Sequence, residues 1–203
     1  MRSFLAFAVA GAALMTAPAL ADKVGGGHLF TSLDGTITAD GGDLVSERVV
    51  TPVVVGGNDS WDTFLDASND VFSVFLAPNA HVTGIGYDVT IATVGASWLS
   101  EARVEMTDTG VTTGVGLTPG TGNNAPGAGA FSSGGIIDLV GLGLDFNVGG
   151  DGLLRFEFWE TFDDVANAID ANWLDPGVIN IQWVPEPASF ALLALGALAL
   201  RRR

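Results

Sequence analysis

Apolar and polar residues alternate in short bursts through the middle of the chain, and the period is two. Between residues 83 and 94, Ile85, Tyr87, Val89 and Ile91 fall on one parity, and Gly86, Asp88, Thr90 and Ala92 on the other. Successive strand side chains point to opposite faces, so this spacing predicts a strand with one buried face. The same parity sets Ala102, Val104 and Met106 against Glu101, Arg103 and Glu105. It also sets Leu154, Phe156 and Phe158 against Arg155, Glu157 and Trp159. Clusters of Gly, Asn, Asp and Thr separate these bursts and bound strands predicted at 28–33, 48–55, 71–76, 83–94, 100–107, 136–140, 153–160 and 178–184. No long helical period interrupts them, although 165–171 suits a turn of helix. Each half-apolar sheet must bury its face on another, so the expected fold is all-β: an antiparallel two-sheet β-sandwich. The stretch 110–135 is dominated by Gly, Thr, Asn, Pro and Ala. With little to bury, it reads as a long loop or an insertion carrying weak strands.

The two ends follow another pattern. Arg2, an apolar stretch from Phe4 to Met15 and the small-residue close Ala19-Leu20-Ala21 form a secretory signal peptide, a signal helix over residues 1–21, with the mature chain expected to begin at Asp22. At the other end, Val184-Pro185-Glu186-Pro187 precedes a charge-free run over 188–200 and then Arg201, Arg202 and Arg203. Such a run enters a bilayer as a hydrophobic helix, and the arginines stop it on the cytoplasmic side. The two prolines break any continuing element, leaving Glu186 on an extended, accessible peptide. About 13 residues at ~1.5 Å each reach roughly 20 Å, short of the ~30 Å hydrocarbon core. Spanning therefore calls for snorkelling arginines or local thinning. The chain divides into a leader (1–21), one β-sandwich domain (22–184) and a tail (185–203).

The order of Pro185-Glu186-Pro187, apolar segment and terminal arginine cluster resembles the PEP-CTERM sorting signal of Gram-negative bacteria. The resemblance implies an exported chain held first in the inner membrane by its tail. An exosortase, a membrane-embedded enzyme of the cysteine-transpeptidase type, would cleave it near the motif, leaving the domain at the cell surface or outside the cell. A second resemblance, on pattern alone, is carried by Gly84-Ile85-Gly86-Tyr87, by Leu153-Leu154-Arg155-Phe156-Glu157-Phe158, by the acidic loop after them and by a last strand bearing Trp. These look like jelly-roll domains of the proprotein-convertase P-domain or galactose-binding kind, which implies a jelly-roll-like strand order and nothing about ligands.

Charge narrows the function further. Acidic residues outnumber basic ones 23 to 8, and within the domain only Lys23, Arg48, Arg103 and Arg155 are cationic. Such a surface repels phosphate backbones, so no nucleic-acid partner is expected. There is no cysteine, which excludes disulfides and thiol chemistry in an exported chain.

The carboxylates must be sorted by spacing. Glu101 and Glu105 share a strand face but lie ~13–14 Å apart, beyond the ~5–9.5 Å of a glycosidase pair. With Arg103 between them they read as a solvated, salt-bridged face. Glu157 and Glu160 point to opposite faces. The loop-like run Glu160, Asp163, Asp164, Asp170 and Asp175 is the candidate calcium site, because Ca²⁺ takes several hard oxygens from a flexible segment, although the EF-hand register is missing. Gly149-Gly150-Asp151-Gly152 opens like a calcium-binding nonapeptide, yet Leu154 stands where Asp is needed, so it reads as a tight hairpin turn. His28 and His81 have no metal-ligand partner at useful spacing and read as a strand start and a turn residue. Of the five tryptophans, Trp159 and Trp173 with Asn172 are the candidate glycan platform, beside the default role of indole rings as core anchors. No catalytic residue is assigned. The first reading is a non-enzymatic protein of the envelope or extracellular polysaccharide matrix, the alternative a carbohydrate-binding module with structural calcium, and the last a secreted hydrolase.

Overall fold

The structure is a computed structural model and describes residues 20–23, 26–27, 48–164 and 168–185. Among these the chain forms β1 (Leu20–Lys23), β2 (Gly26–Gly27), β3 (Val49–Val54), β4 (Asn58–Ser60), β5 (Asp70–Phe75), β6 (His81–Thr93) and β7 (Ala102–Asp108). There follow β8 (Gly114–Thr118), β9 (Ala128–Ser132), β10 (Ile137–Asp138), the short helix α1 (Leu139–Leu142), β11 (Phe146–Asn147), β12 (Leu153–Glu160) and β13 (Ala171–Val184). They build two antiparallel sheets. One runs β2-β1-β8-β7-β12-β5; the other runs β10-β6-β13-β3, with β9 and β11 also on β6 and β4 on β13. A two-sheet, mostly β architecture is thus observed.

Parity explains the core. Ile85, Val89 and Ile91 of β6, with Trp173, Ile179 and Ile181 of β13, are buried together with Val104 and Met106 of β7 and Leu154, Phe156 and Phe158 of β12. The Phe158 and Trp173 rings meet edge to face at 5.1 Å, tying one sheet to the other. Each such side chain contributes about 1.5–3 kcal/mol through the apolar surface it removes from water.

Several expectations are corrected. The glycine-rich stretch does carry strands, as one of its two readings had it, but it buries more than expected: β8 is buried along its whole length beside β7. Its glycines are there for close approach: a Cβ at Gly114 would strike the backbone of Met106, and one at Gly116 would strike Arg103 and Glu105. The predicted strand at 136–140 shortens to Ile137–Asp138, because Asp138 Oδ1 accepts the Val140 N–H at 3.1 Å and caps α1. The Gly149–Gly152 turn closes with a 2.9 Å bond from Gly152 N–H to the Gly149 carbonyl. It joins β11 to β12 across the two sheets, so it is a crossover and not a hairpin. The last strand starts at Ala171, seven positions ahead of expectation, because a register shift between Leu174 and Val178 absorbs Pro176 as a bulge. Ala171 consequently ends no helix. His81 opens β6 instead of occupying a turn.

The predicted strand at 28–33, residues 1–19 of the leader, residues 165–167 of the predicted helical turn and residues 186–203 lie outside the described residues, while Leu20 and Ala21 of the leader are strand. Leu20–Lys23 pairs with Val115–Thr118, so the expected Ala21–Asp22 junction falls within β1. Among the described residues, no helix is long and apolar enough to cross a membrane.

Candidate functional site

Strand β12 presents buried carboxylates on both faces. Glu160 continues the inward parity of Leu154, Phe156 and Phe158 and is 0% exposed, as is Glu157 on the outward parity. Their surroundings differ.

Glu157 is satisfied on all sides. Its Oε2 accepts from Arg155 Nη2 at 2.5 Å, and its Oε1 accepts from Leu65 N–H at 2.6 Å and Asn69 Nδ2 at 2.9 Å. These last two donors belong to the segment 61–69, which folds over this face and lays Phe64 against Trp159 at 5.4 Å. The Arg103 guanidinium sits 5.4 Å from the Trp159 ring and bonds Glu105 at 3.0 Å. Arg103 and Glu105 are 7% and 5% exposed, so the salt-bridged face expected in solvent is roofed over. Glu101 stands apart from that pair: its carboxylate accepts the Trp98 N–H at 2.7 Å.

Glu160 lies within electrostatic reach of Asp170, which is also buried. Ser97 Oγ donates to Asp170 Oδ1 at 3.0 Å. The Asp170 N–H donates to the Ser60 carbonyl at 2.9 Å, and the Glu160 N–H to the Asp62 carbonyl at 3.0 Å. Trp173 Nε1 donates to Ser60 Oγ at 3.1 Å. Segments from four parts of the chain thus close around the two carboxyl groups. Burial, and then the charge of Asp170, push Glu160 up to about 9, while the Ser60 hydroxyl pulls weakly the other way. Even so, neither Glu160 oxygen completes a hydrogen bond. Asp170 is raised as well, chiefly by burial, with Ser97 opposing.

Of the acidic run proposed for calcium, the structure brings Glu160 and Asp170 together and sets half-buried Asp163 and Asp164 within electrostatic reach. Asp175 does not join them. It is exposed on the β13 bulge and turned toward Gly56, because the register shift carries it away. Among the described residues no three acidic side chains stand ready to share one ion. Sequence spacing gave no hint of Ser60, Ser97 or Glu101, which long-range strand pairing delivers. The inward parity of Glu160 was visible.

The glycan platform is not formed. Trp173 is 1% exposed in the core, on β13, while Trp159 lies on the outer face of the other sheet beneath Phe64. Asn172 is held by Asp59 Oδ1 at 2.7 Å. Opposite parities of Asn172 and Trp173 on one strand forbid a shared surface. His81 Nε2 pairs with Asp145 Oδ2 at 2.8 Å, a partner that sequence reasoning missed.

Strand β13 ends at Val184, paired with His81, and the tail begins at once. Residues 184–203 match the family description PEP-CTERM protein-sorting motif. The chain therefore carries a PEP-CTERM protein-sorting motif in its tail. Such a tail marks a protein exported, sorted in association with the membrane and processed by an exosortase.

No curated protein matches the chain. Among solved structures it is similar to the infectious bursal disease virus VP2 subviral particle, at 14% identity and TM-score 0.35 over 73% of this chain and 37% of that one. It is also similar to the T13 infectious bursal disease virus particle (10%, TM-score 0.34, 73% and 36%). A nora virus structure gives 11% and TM-score 0.25 over 78% and 67%. The chain spans about 37% of the VP2 chain it resembles, and likeness at this level does not bear on function.

Proposed function

We propose that this is a non-enzymatic protein of the cell envelope or extracellular polysaccharide matrix, a jelly-roll-like acidic domain delivered by its tail. The observation that carries the reading is the sorting motif at 184–203, starting on the last residue of the central strand β13. The tail is a handle on a folded domain: leader and motif direct the chain to the inner membrane, the exosortase removes the tail near Pro185-Glu186-Pro187, and the sandwich remains outside. Support for a non-enzymatic role comes from how the polar groups are used. The pairs Arg155–Glu157 and Arg103–Glu105 are largely buried, where they fix strand packing. The acidic surface suits solubility in a crowded exterior.

Replacement of Glu186 by Ala, or deletion of 185–203, tests this reading. Fractionation should show the Glu186→Ala precursor retained in the inner membrane and the deletion variant lost from its normal location. Identical processing and location of wild type and variants would refute it.

A further inference from the structure

Removing a carboxylate from water is costly unless a counter-charge or donors replace the solvent. Glu157 has both. Glu160 has no counter-charge among the described residues, and beyond the nearby Ser60 hydroxyl no donor approaches it: its two oxygens, and Oδ2 of Asp170, are buried without a completed hydrogen bond. Among the described residues the three arginines are engaged or placed elsewhere: Arg103 pairs with Glu105, Arg155 with Glu157, and Arg48 is exposed. Two adjacent buried carboxyl groups with unmet oxygens are what the protein half of a cation site looks like.

We propose that Glu160 and Asp170 hold a calcium ion, with the hydroxyls of Ser60 and Ser97 among the neutral oxygens around it. The donor set is oxygen only, since no sulfur or imidazole stands among these groups, which disfavours zinc and copper. Two carboxylates balance the charge of a divalent ion. The other ligands are neutral, because among the described residues no third carboxylate joins the pair; carbonyls, hydroxyls and water complete calcium shells routinely. Ser60 and Ser97 are themselves 0% exposed and touch the same groups, Ser97 on Asp170 and Ser60 beside Glu160. Such a mixed set tolerates irregular calcium geometry and not the near-octahedral shell of magnesium. Half-buried Asp163 and Asp164 lie within electrostatic reach and make the surroundings of the pair more attractive to a cation. The ion would tie β12 of one sheet to the segment leading into β13 of the other. This inference is independent of the sorting tail.

The test is thermal melting of the full chain in mild detergent, stripped with chelator and then titrated with calcium or magnesium. Wild type should gain roughly 5–10 °C at calcium about 100-fold above its dissociation constant. Glu160→Gln and Asp170→Asn should lose the shift, whereas Asp175→Asn should keep it. Glu160→Gln replaces the acid with a neutral group of the same shape, so it folds; far-UV circular dichroism checks this. Terbium, which shares calcium's preference for oxygen, should give Trp-sensitised emission that calcium displaces, a readout that needs no variant. A wild-type melt unchanged by calcium, a shift that survives Glu160→Gln, an equal response to magnesium, or terbium emission that calcium cannot displace would each overturn the assignment.

Discussion

Glu157 and Glu160 sit three residues apart on one strand, both wholly buried, and they solve the problem of a buried charge in opposite ways. Glu157 lies on the outer face of its sheet, where Arg155, Asn69 and the Leu65 N–H surround it. Glu160 lies on the inner face, where its nearest charged company is another acid. Burial alone therefore says little about a carboxylate. What fills its lone pairs decides whether it stabilises the fold or waits for something to complete it.

The contrast can be broken from either side. The largest effect is expected from Glu157→Ala, which strands the Arg155 guanidinium under the 61–69 segment. Losing one partner of a buried pair costs about 3–5 kcal/mol, measurable as a lower midpoint in urea unfolding. A loss below about 1 kcal/mol would place the pair with ordinary surface bridges.

A second effect separates the two residues by pH. Without cation, Glu160 titrates near 4.5 when unfolded and at about 9 when folded. Its contribution is full below about 4.5 and is lost as pH rises through about 9. Chelated wild type should thus weaken from pH ~5 to ~9, and Glu160→Gln should reduce that slope, leaving the share of Asp170, whose pKa burial also raises. Asp66, Asp108 and Asp151 are lowered by hydrogen bonds, so their contributions hold above 3.8 and are lost only in acid, outside this window. Equal slopes in wild type and Glu160→Gln would contradict the account.

The smallest effect concerns Tyr87, the single tyrosine. Burial raises its pKa from 10.0 to about 12, so its share of stability is intact below about 10 and disappears as pH rises through about 12. Phenolate absorbance should follow that midpoint while the fold persists. Ionisation near 10 in folded protein would show the ring to be solvated.

Period-two spacing made the sheets legible, including the burial of Ile85, Tyr87, Val89, Ile91, Leu154, Phe156 and Phe158. It misled at Arg103, Glu105 and Glu157. Polar parity predicts an outward face, and nothing local says that residues 61–69 will return to cover Glu157 or that Arg103 and Glu105 will be buried. The Gly114–Thr118 strand was hidden because glycine signals mobility in composition and close packing in three dimensions. Asp175 was misplaced for a related reason: a bulge changes which face each later residue takes, and Pro176 gives only its neighbourhood. Of the candidate cation site, Glu160 was readable from its parity with Phe158, while Ser60 and Ser97 come from strands and turns far along the chain.

The tail needed no tertiary information. A short motif, a charge-free run and terminal arginines are read by membrane and enzyme as a linear segment, and the matched residues 184–203 are the same ones the sequence pointed to. The measurement that bears most directly on function is the intact mass of the protein recovered from the cell surface or medium. The account expects a chain beginning at Asp22 and ending near Pro185-Glu186-Pro187, without the arginine cluster. A surface form that keeps its tail through Arg203 would contradict it.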